Sequence, residues 1–178
     1  GVPPLLVYHD YPVVGRDVAG FAVEHGFHTS VVLRRPGNQY YQDGIIEGVT
    51  SVMPTAVVDI DSAHPETERR LEEYLRNNPE TDFILNLAAA GLLLMQALTT
   101  VGRDEVIGQP ATQGGLLVLM QSEKPPMLSR DPRLAYLSFD GVNAGAEVAE
   151  NVVARLTGHT GREVLLEATI SAPLMWGE

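Results

Sequence analysis

Asp59 and Asp61, in the stretch VVDIDSAH, stand one residue apart at the end of an apolar run. Carboxylates in that position can hold Mg²⁺ beside a phosphorylated substrate. Acids there also cap the next helix or solvate a loop, and the spacing alone leaves both readings open. His25 and His28 are three apart, but Gly26 lies between them and a strand-like run follows at once, so a helix-borne pair of metal ligands is not expected. A serine hydrolase needs its nucleophile on a tight strand-to-helix elbow, usually framed as G-x-S-x-G. The stretch placed to carry one reads FILNLAAAGLLL and offers no Ser, Cys or Asp, and His159 in TGHTG has nothing to activate. The glycines of Gly15–Gly20 (GRDVAG) are too far apart for a phosphate loop, and neither G-x-G-x-x-G nor G-K-[ST] occurs. No catalytic residue, metal or cofactor is therefore assigned. Tyr40 and Tyr41, after RRPGNQ, are suited to stack on a planar or sugar ring, and Tyr41 equally suits the apolar stripe of a helix.

The elements that must hold these residues follow from the apolar pattern. Short runs with continuous rather than alternating apolar character predict strands over Leu5–His9, Ser30–Arg34, Ala56–Ile60, Asp82–Asn86, Glu105–Gln109, Ala135–Phe139 and Glu163–Ile170. Such runs suit strands buried on both faces of a parallel sheet. Helical periods separate them. Val14, Val18, Phe21 and Ala22 share one face, and Tyr41, Ile45, Val49 and Val52 form a second stripe. In SAHPETERRLEEYLRNN, Ser62 or His64 is placed near the cap, with Leu71, Tyr74 and Leu75 on one face. LAAAGLLLMQAL is apolar nearly all round and predicts a central buried helix, and VNAGAEVAENVVARLTG a last one ending at Gly158. ATQGGLLVLM fits helix or strand, and the prolines of QSEKPPMLSRDPR mark a loop. The alternation predicts an α/β chain, a doubly wound, mostly parallel sheet with helices on both faces. Ligands of such sheets bind beyond the carboxyl ends of the strands.

Composition narrows the partners. The 178 residues carry a formal net charge of −11, which repels phosphate backbones and argues against a nucleic-acid clamp within this chain. There is no cysteine, so neither a disulfide framework nor a thiolate metal site is available, as fits a reducing cytoplasm. The apolar run from Ile84 to Leu98 is broken by Asn86, Gly91 and Gln96 and falls short of a bilayer span, so no membrane partner is expected. The opening Gly1-Val2-Pro3-Pro4 runs straight into an apolar strand, as expected of a piece of a longer protein.

Taken together, GVPPLLVYHD, VGRDVAGFAVEHGFHTSVVLRRPG, YYQDGIIEGV, DEVIGQ and DPRLAYLSFDGVNAGAEVAENVVARLTG resemble, in order and spacing, successive segments of the effector-binding domain of LacI/GalR-type transcription regulators. That domain has the type I periplasmic-binding-protein fold. The resemblance implies a small-molecule-sensing and dimerising domain over residues 1–178. It would be mainly the C-terminal lobe (about 11–140), with 1–10 and 160–178 belonging to the other lobe or to crossovers. It implies a sugar or related metabolite as effector, a homodimer, a cytoplasmic repressor or other regulator, and contact with DNA only through a head outside this chain. It places Asp10, Tyr40, Tyr41, Asn86 and Gln109 at strand ends as ligand contacts. The chain departs from the family at those points. Tyr41 stands where a sugar-gripping arginine is frequent, Leu87 follows Asn86 where an aspartate is usual, and Pro110 follows Gln109 where another aspartate is expected. Losing those groups removes donors and acceptors that discriminate sugar hydroxyls, which implies a less polar effector or a decayed pocket. A transport-type binding protein of the same fold, or an α/β enzyme using Asp59 and Asp61 with Mg²⁺, are the alternatives.

Overall fold

Asp10 opens the described chain as a helix cap: its carboxylate accepts from the Val13 N–H at 3.2 Å, and a proline follows in the first turn. Both are N-terminal signals, the side chain satisfying one orphan amide and Pro12 supplying the helical φ without wasting a donor. The structure, a computed structural model, describes residues 10–37, 39–122, 131–138 and 169–171, and at 39, 40, 122, 136, 138 and 169–171 only the backbone. Helix α1 (Tyr11–Glu24) leads to β1 (Ser30–Arg34). Then follow α2 (Gln39–Thr50), β2 (Thr55–Asp59), α3 (Thr67–Asn77), β3 (Phe83–Asn86), α4 (Gly91–Thr100), β4 (Leu117–Ser122), β5 (Ala135–Ser138) and β6 (Thr169–Ser171).

The strands form one sheet in the order β2-β1-β3-β4-β5-β6. All neighbours run parallel except β6, which is antiparallel to β5. Every residue of β3 and the first four of β1 are buried, as the continuous apolar runs require of strands covered on both faces. Alternate residues feed two cores. Val32, Phe83, Leu85, Leu117 and Leu119 meet α1 and α2 on one face. Val31, Leu33, Ile84, Val118 and Met120 meet α3 and α4 on the other. This is the doubly wound arrangement the alternation predicts.

Helices α1 and α2 touch backbone to backbone. A Cβ at Gly15 would lie 2.0 Å from the Ile45 carbonyl oxygen, and one at Gly48 2.1 Å from that of Pro12. No larger residue fits either place without parting the helices.

Three expectations are corrected. The second described strand is Thr55–Asp59 rather than Ala56–Ile60, a shift of one residue. Glu105–Gln109 forms no strand: Asp104–Val106 is a 3-10 turn, Ile107 makes a single bridge to Leu116, and Gly108 takes φ +76°. The strand between β3 and β5 comes instead from the ambiguous stretch, as Leu117–Ser122, because LLVLM supplies the unbroken apolar run a central strand needs. The helix expected over LAAAGLLLMQAL begins only at Gly91 and buries one side, Leu94, Ala97 and Leu98, leaving Leu92 74% exposed. The expected Leu5–His9 strand, the last helix and residues 163–168 lie outside the described residues, whereas 169–171 form β6.

Candidate functional site

The strand order fixes where a crevice must open. From β1 the chain passes through α2 to β2 on one side, and then through α3 to β3 on β1's other side. Helix α2 leaves the carboxyl end of β1 toward one face, and α4 leaves that of β3 toward the other. The two loops diverge, and the gap between them is the topological switch point of the sheet.

A cleft of about 190 Å³ lies there, lined by Arg35, Tyr41, Leu87, Ala88, Ala89 and Gln121. Tyr41 reaches it from the first turn of α2, and its hydroxyl donates to the Gln121 side-chain oxygen at 3.1 Å. Its ring also packs against Tyr11, with centroids 5.6 Å apart. Tyr41 thus belongs to the helix stripe and also lines the cleft. Arg35 is held by its main chain. The buried Gln42 amide accepts from the Arg35 N–H at 2.7 Å and donates to the Arg35 carbonyl at 2.9 Å. A side-chain amide that closes both groups of one residue fixes the loop as a strand neighbour would.

A second hollow, of about 330 Å³, opens on the other face. Ala88, Ala89 and Gln121 line both hollows, so they adjoin at the carboxyl edge. Asn86 lines the second one at 2% exposure, alongside Leu92, Met95, Met120 and Leu134. Its Nδ2 donates to the Met120 sulfur at 3.3 Å, and its Oδ1 has no hydrogen-bond partner among the described residues. Sulfur is a weak acceptor, so whichever way the amide is turned, one of its ends is poorly satisfied. A buried amide in that state carries an uncompensated polar end.

Next to the cleft, Arg34 at the end of β1 bonds Asp59 at 2.7 Å and Asp43 at 2.8 Å. The hydrogen bonds to Asp59 and Asp43 raise the Arg34 pKa still further, and the guanidinium in turn holds the Asp59 carboxyl below the usual carboxylate range. Asp61 accepts from the Ala63 N–H at 3.0 Å, a turn contact. The structure thus uses Asp59 in an ion pair and Asp61 in a loop. Among the described residues no group of three or more His, Cys, Asp or Glu is arranged to hold a metal.

The expected contacts divide accordingly. Tyr41 and Asn86 line the two hollows, on opposite faces of the sheet. Tyr40 lies in α2, with its side chain outside what is described. Asp10 caps α1 and lines neither hollow. Gln109 needs correction, because it sits in the turn that enters β4, at the amino end, where its N–H donates to the Val106 carbonyl at 3.2 Å. The place expected for it belongs to Gln121, and Arg35 was not expected at all. Both were within reach of the sequence, Arg35 as the residue after the Ser30–Arg34 run and Gln121 as the first polar residue after LLVLM.

Solved structures share this architecture. A carbohydrate transporter from Acidothermus cellulolyticus 11B, in complex with myo-inositol, superposes with a TM-score of 0.65 at 14% identity, over 94% of this chain and 59% of that one. A LacI family transcriptional regulator from Arthrobacter sp. FB24, complexed with lactose, gives 0.61 at 16% identity, over 92% of this chain and 63% of that one. A LacI family protein from Silicibacter pomeroyi gives 0.63 at 17% identity, over 97% and 54%. The fold is that of a type I periplasmic-binding-protein-like lobe. The lobe spans between 54% and 63% of the length of these three chains. No protein-family profile and no curated protein sequence matches it.

Proposed function

We propose that this lobe binds a small polar metabolite, a sugar or a relative of one, in the crevice at the carboxyl ends of β1, β3 and β4, and that it senses the molecule rather than transforming it. The observation that carries the reading is the pair of adjoining hollows at the switch point, with Tyr41 and Gln121 facing one and the half-satisfied Asn86 amide the other. Preformed crevices with a few convergent polar groups are the usual form of small-molecule sites. The similar structures in complex with myo-inositol and with lactose support the metabolite class.

Within that reading the chain is mainly the C-terminal lobe (about 11–140) of a two-lobed effector-binding domain. It works as a homodimer in a cytoplasmic LacI/GalR-type regulator whose DNA-binding head lies elsewhere. No described helix is long and apolar enough to cross a membrane. A ligand drives such a switch only by binding one lobe arrangement more tightly than the other. The transport-protein reading is favoured by the carbohydrate transporter among the similar structures. The upstream gene sequence separates the two: a helix-turn-helix marks the regulator, and a secretion signal the transporter.

The binding claim is tested by thermal melting of the chain against a panel of sugars, polyols and sugar acids, myo-inositol and lactose included. At least one compound is expected to raise the melting temperature by several degrees. Gln121→Leu, which removes the amide facing both hollows, is expected to abolish that rise. A rise unchanged in Gln121→Leu would place the site elsewhere, and no rise with any compound would remove the reading.

A further inference from the structure

We propose, building on the binding reading above, that the ligand of the cleft carries an anionic group, a carboxylate or a phosphate, and that Arg35 receives it. Among the described residues lining the cleft Arg35 carries the one charge, and none of those residues is a carboxylate. Tyr41 has committed its proton to Gln121. What the cleft still offers is a bias toward donors, namely the Gln121 amide N–H groups and the Arg35 guanidinium. A sugar hydroxyl is donor and acceptor at once and is best gripped where a carboxylate takes its proton. A carboxylate or phosphate presents acceptors only, which is what these groups can satisfy.

The state of the other arginines points the same way. Arg34, Arg69, Arg76 and Arg133 all pair with carboxylates, and Arg103 donates to the Thr81 carbonyl. Arg16 and Arg70, which have no partner among the described residues, are exposed, as Arg35 is. The Arg35 guanidinium also has no partner among the described residues, although the chain carries a net charge of −11 and Arg34 beside it takes two acids. Asp43 and Asp59, beside the end of β1, are both held by Arg34. Gln42 clamps the Arg35 backbone on both sides, so this uncommitted cation stands on a fixed rim. Gln42 is a positioning residue, and Arg35 is the contact. Guanidinium meets carboxylate and phosphate with paired, charge-assisted hydrogen bonds, an orientation a rigid rim preserves.

The test is calorimetric titration of the chain with D-glucose, D-gluconate, D-glucose 6-phosphate and inorganic phosphate. The wild type is compared with Arg35→Gln, whose melting temperature should match the wild type because the Gln42 contacts are to main chain. At least one of the two sugar anions is expected to bind about tenfold or more tightly than glucose, the weight of a charge-assisted pair. That preference should vanish in Arg35→Gln and shrink with added salt. Gluconate and glucose 6-phosphate separate a carboxylate from a phosphate as the preferred group. Glucose binding as tightly as either anion, with Gln121 dependence intact, would overturn the anionic ligand and leave the binding reading standing. Binding of phosphate alone, unchanged in Arg35→Gln, would mean an adventitious ion only and overturn it as well. No binding by any of the four compounds would overturn the proposal, and a failed thermal panel beside it would take down the binding reading too.

Discussion

The two ends of the sheet differ in how their polar groups are used. At the amino end polar groups are tied into the frame. The Asp82 carboxylate accepts from the N–H groups of His28 and Thr29 at 2.8 to 3.0 Å, joining the entries of β1 and β3. The Ser30 hydroxyl donates to Thr55 at 2.8 Å, joining β1 to β2, and Arg103 donates to the Thr81 carbonyl. The frame is not perfect, since the Thr81 hydroxyl and one Arg103 nitrogen are buried without partners among the described residues. At the carboxyl end the loops part around two hollows, and the Arg35 guanidinium and the Asn86 Oδ1 have no partner among the described residues. One end holds the strands in register, and the other carries the crevice proposed to take a ligand.

The contrast is broken most severely by Asp82→Ala. Charge-assisted bonds to two backbone amides are lost, and the partly buried Arg103, whose charge Asp82 supports, is left with less compensation. Urea unfolding should show a loss of about 2–3 kcal/mol. Ligand affinity of the folded fraction should not change. A change of affinity as large as that of a cleft variant would mean the two ends are not independent.

Asn86→Leu sharpens the contrast from the other side. It removes a buried amide that is poorly satisfied and replaces it with an apolar group of similar size, so stability should stay level or rise by about 1 kcal/mol. Ligand-induced stabilisation should fall in the same variant. A clear loss of stability would show that Asn86 serves the core rather than the site.

The smallest effect concerns acid. The Asp59 pKa is lowered chiefly by its hydrogen bond to Arg34, so its contribution to stability is complete above the unfolded value of about 3.9 and is lost as pH falls through the lower folded value. Arg34→Gln should therefore flatten the decline of stability below about pH 4. With the Asp59 side chain 57% exposed, solvent screening keeps the difference at neutral pH under about 1 kcal/mol. A decline as steep as in the wild type would show that the ion pair contributes nothing in solution.

The legible parts of the fold were those where one physical demand dominates. Ser30–Arg34 could be read to the residue because a strand buried on both faces needs a continuous branched apolar run. Glu105–Gln109 misled because Val106 and Ile107 are strand-like, but two residues between Gly102 and Gly108, both at positive φ, cannot sustain a ladder. Asp10 closes an apolar run, and the Tyr-Pro that follows it marks the start of the helix its carboxylate caps. The cleft was legible only in part. Tyr41 is carried there by the first turn of α2, which a helical period can show. Gln121 and Arg35 depend on which strands become neighbours and which way β4 is phased, and those are properties of the assembled sheet rather than of any local stretch.

The central claim is that a ligand completes the carboxyl end and leaves the amino end alone. Amide hydrogen exchange with and without whichever compound raises the melting temperature most tests it directly. Added protection should fall on 35–42, 87–92 and 120–122, with 28–30, 81–83 and 103–109 unchanged. Protection concentrated at the amino-end segments, or spread evenly over the sheet, would contradict the account.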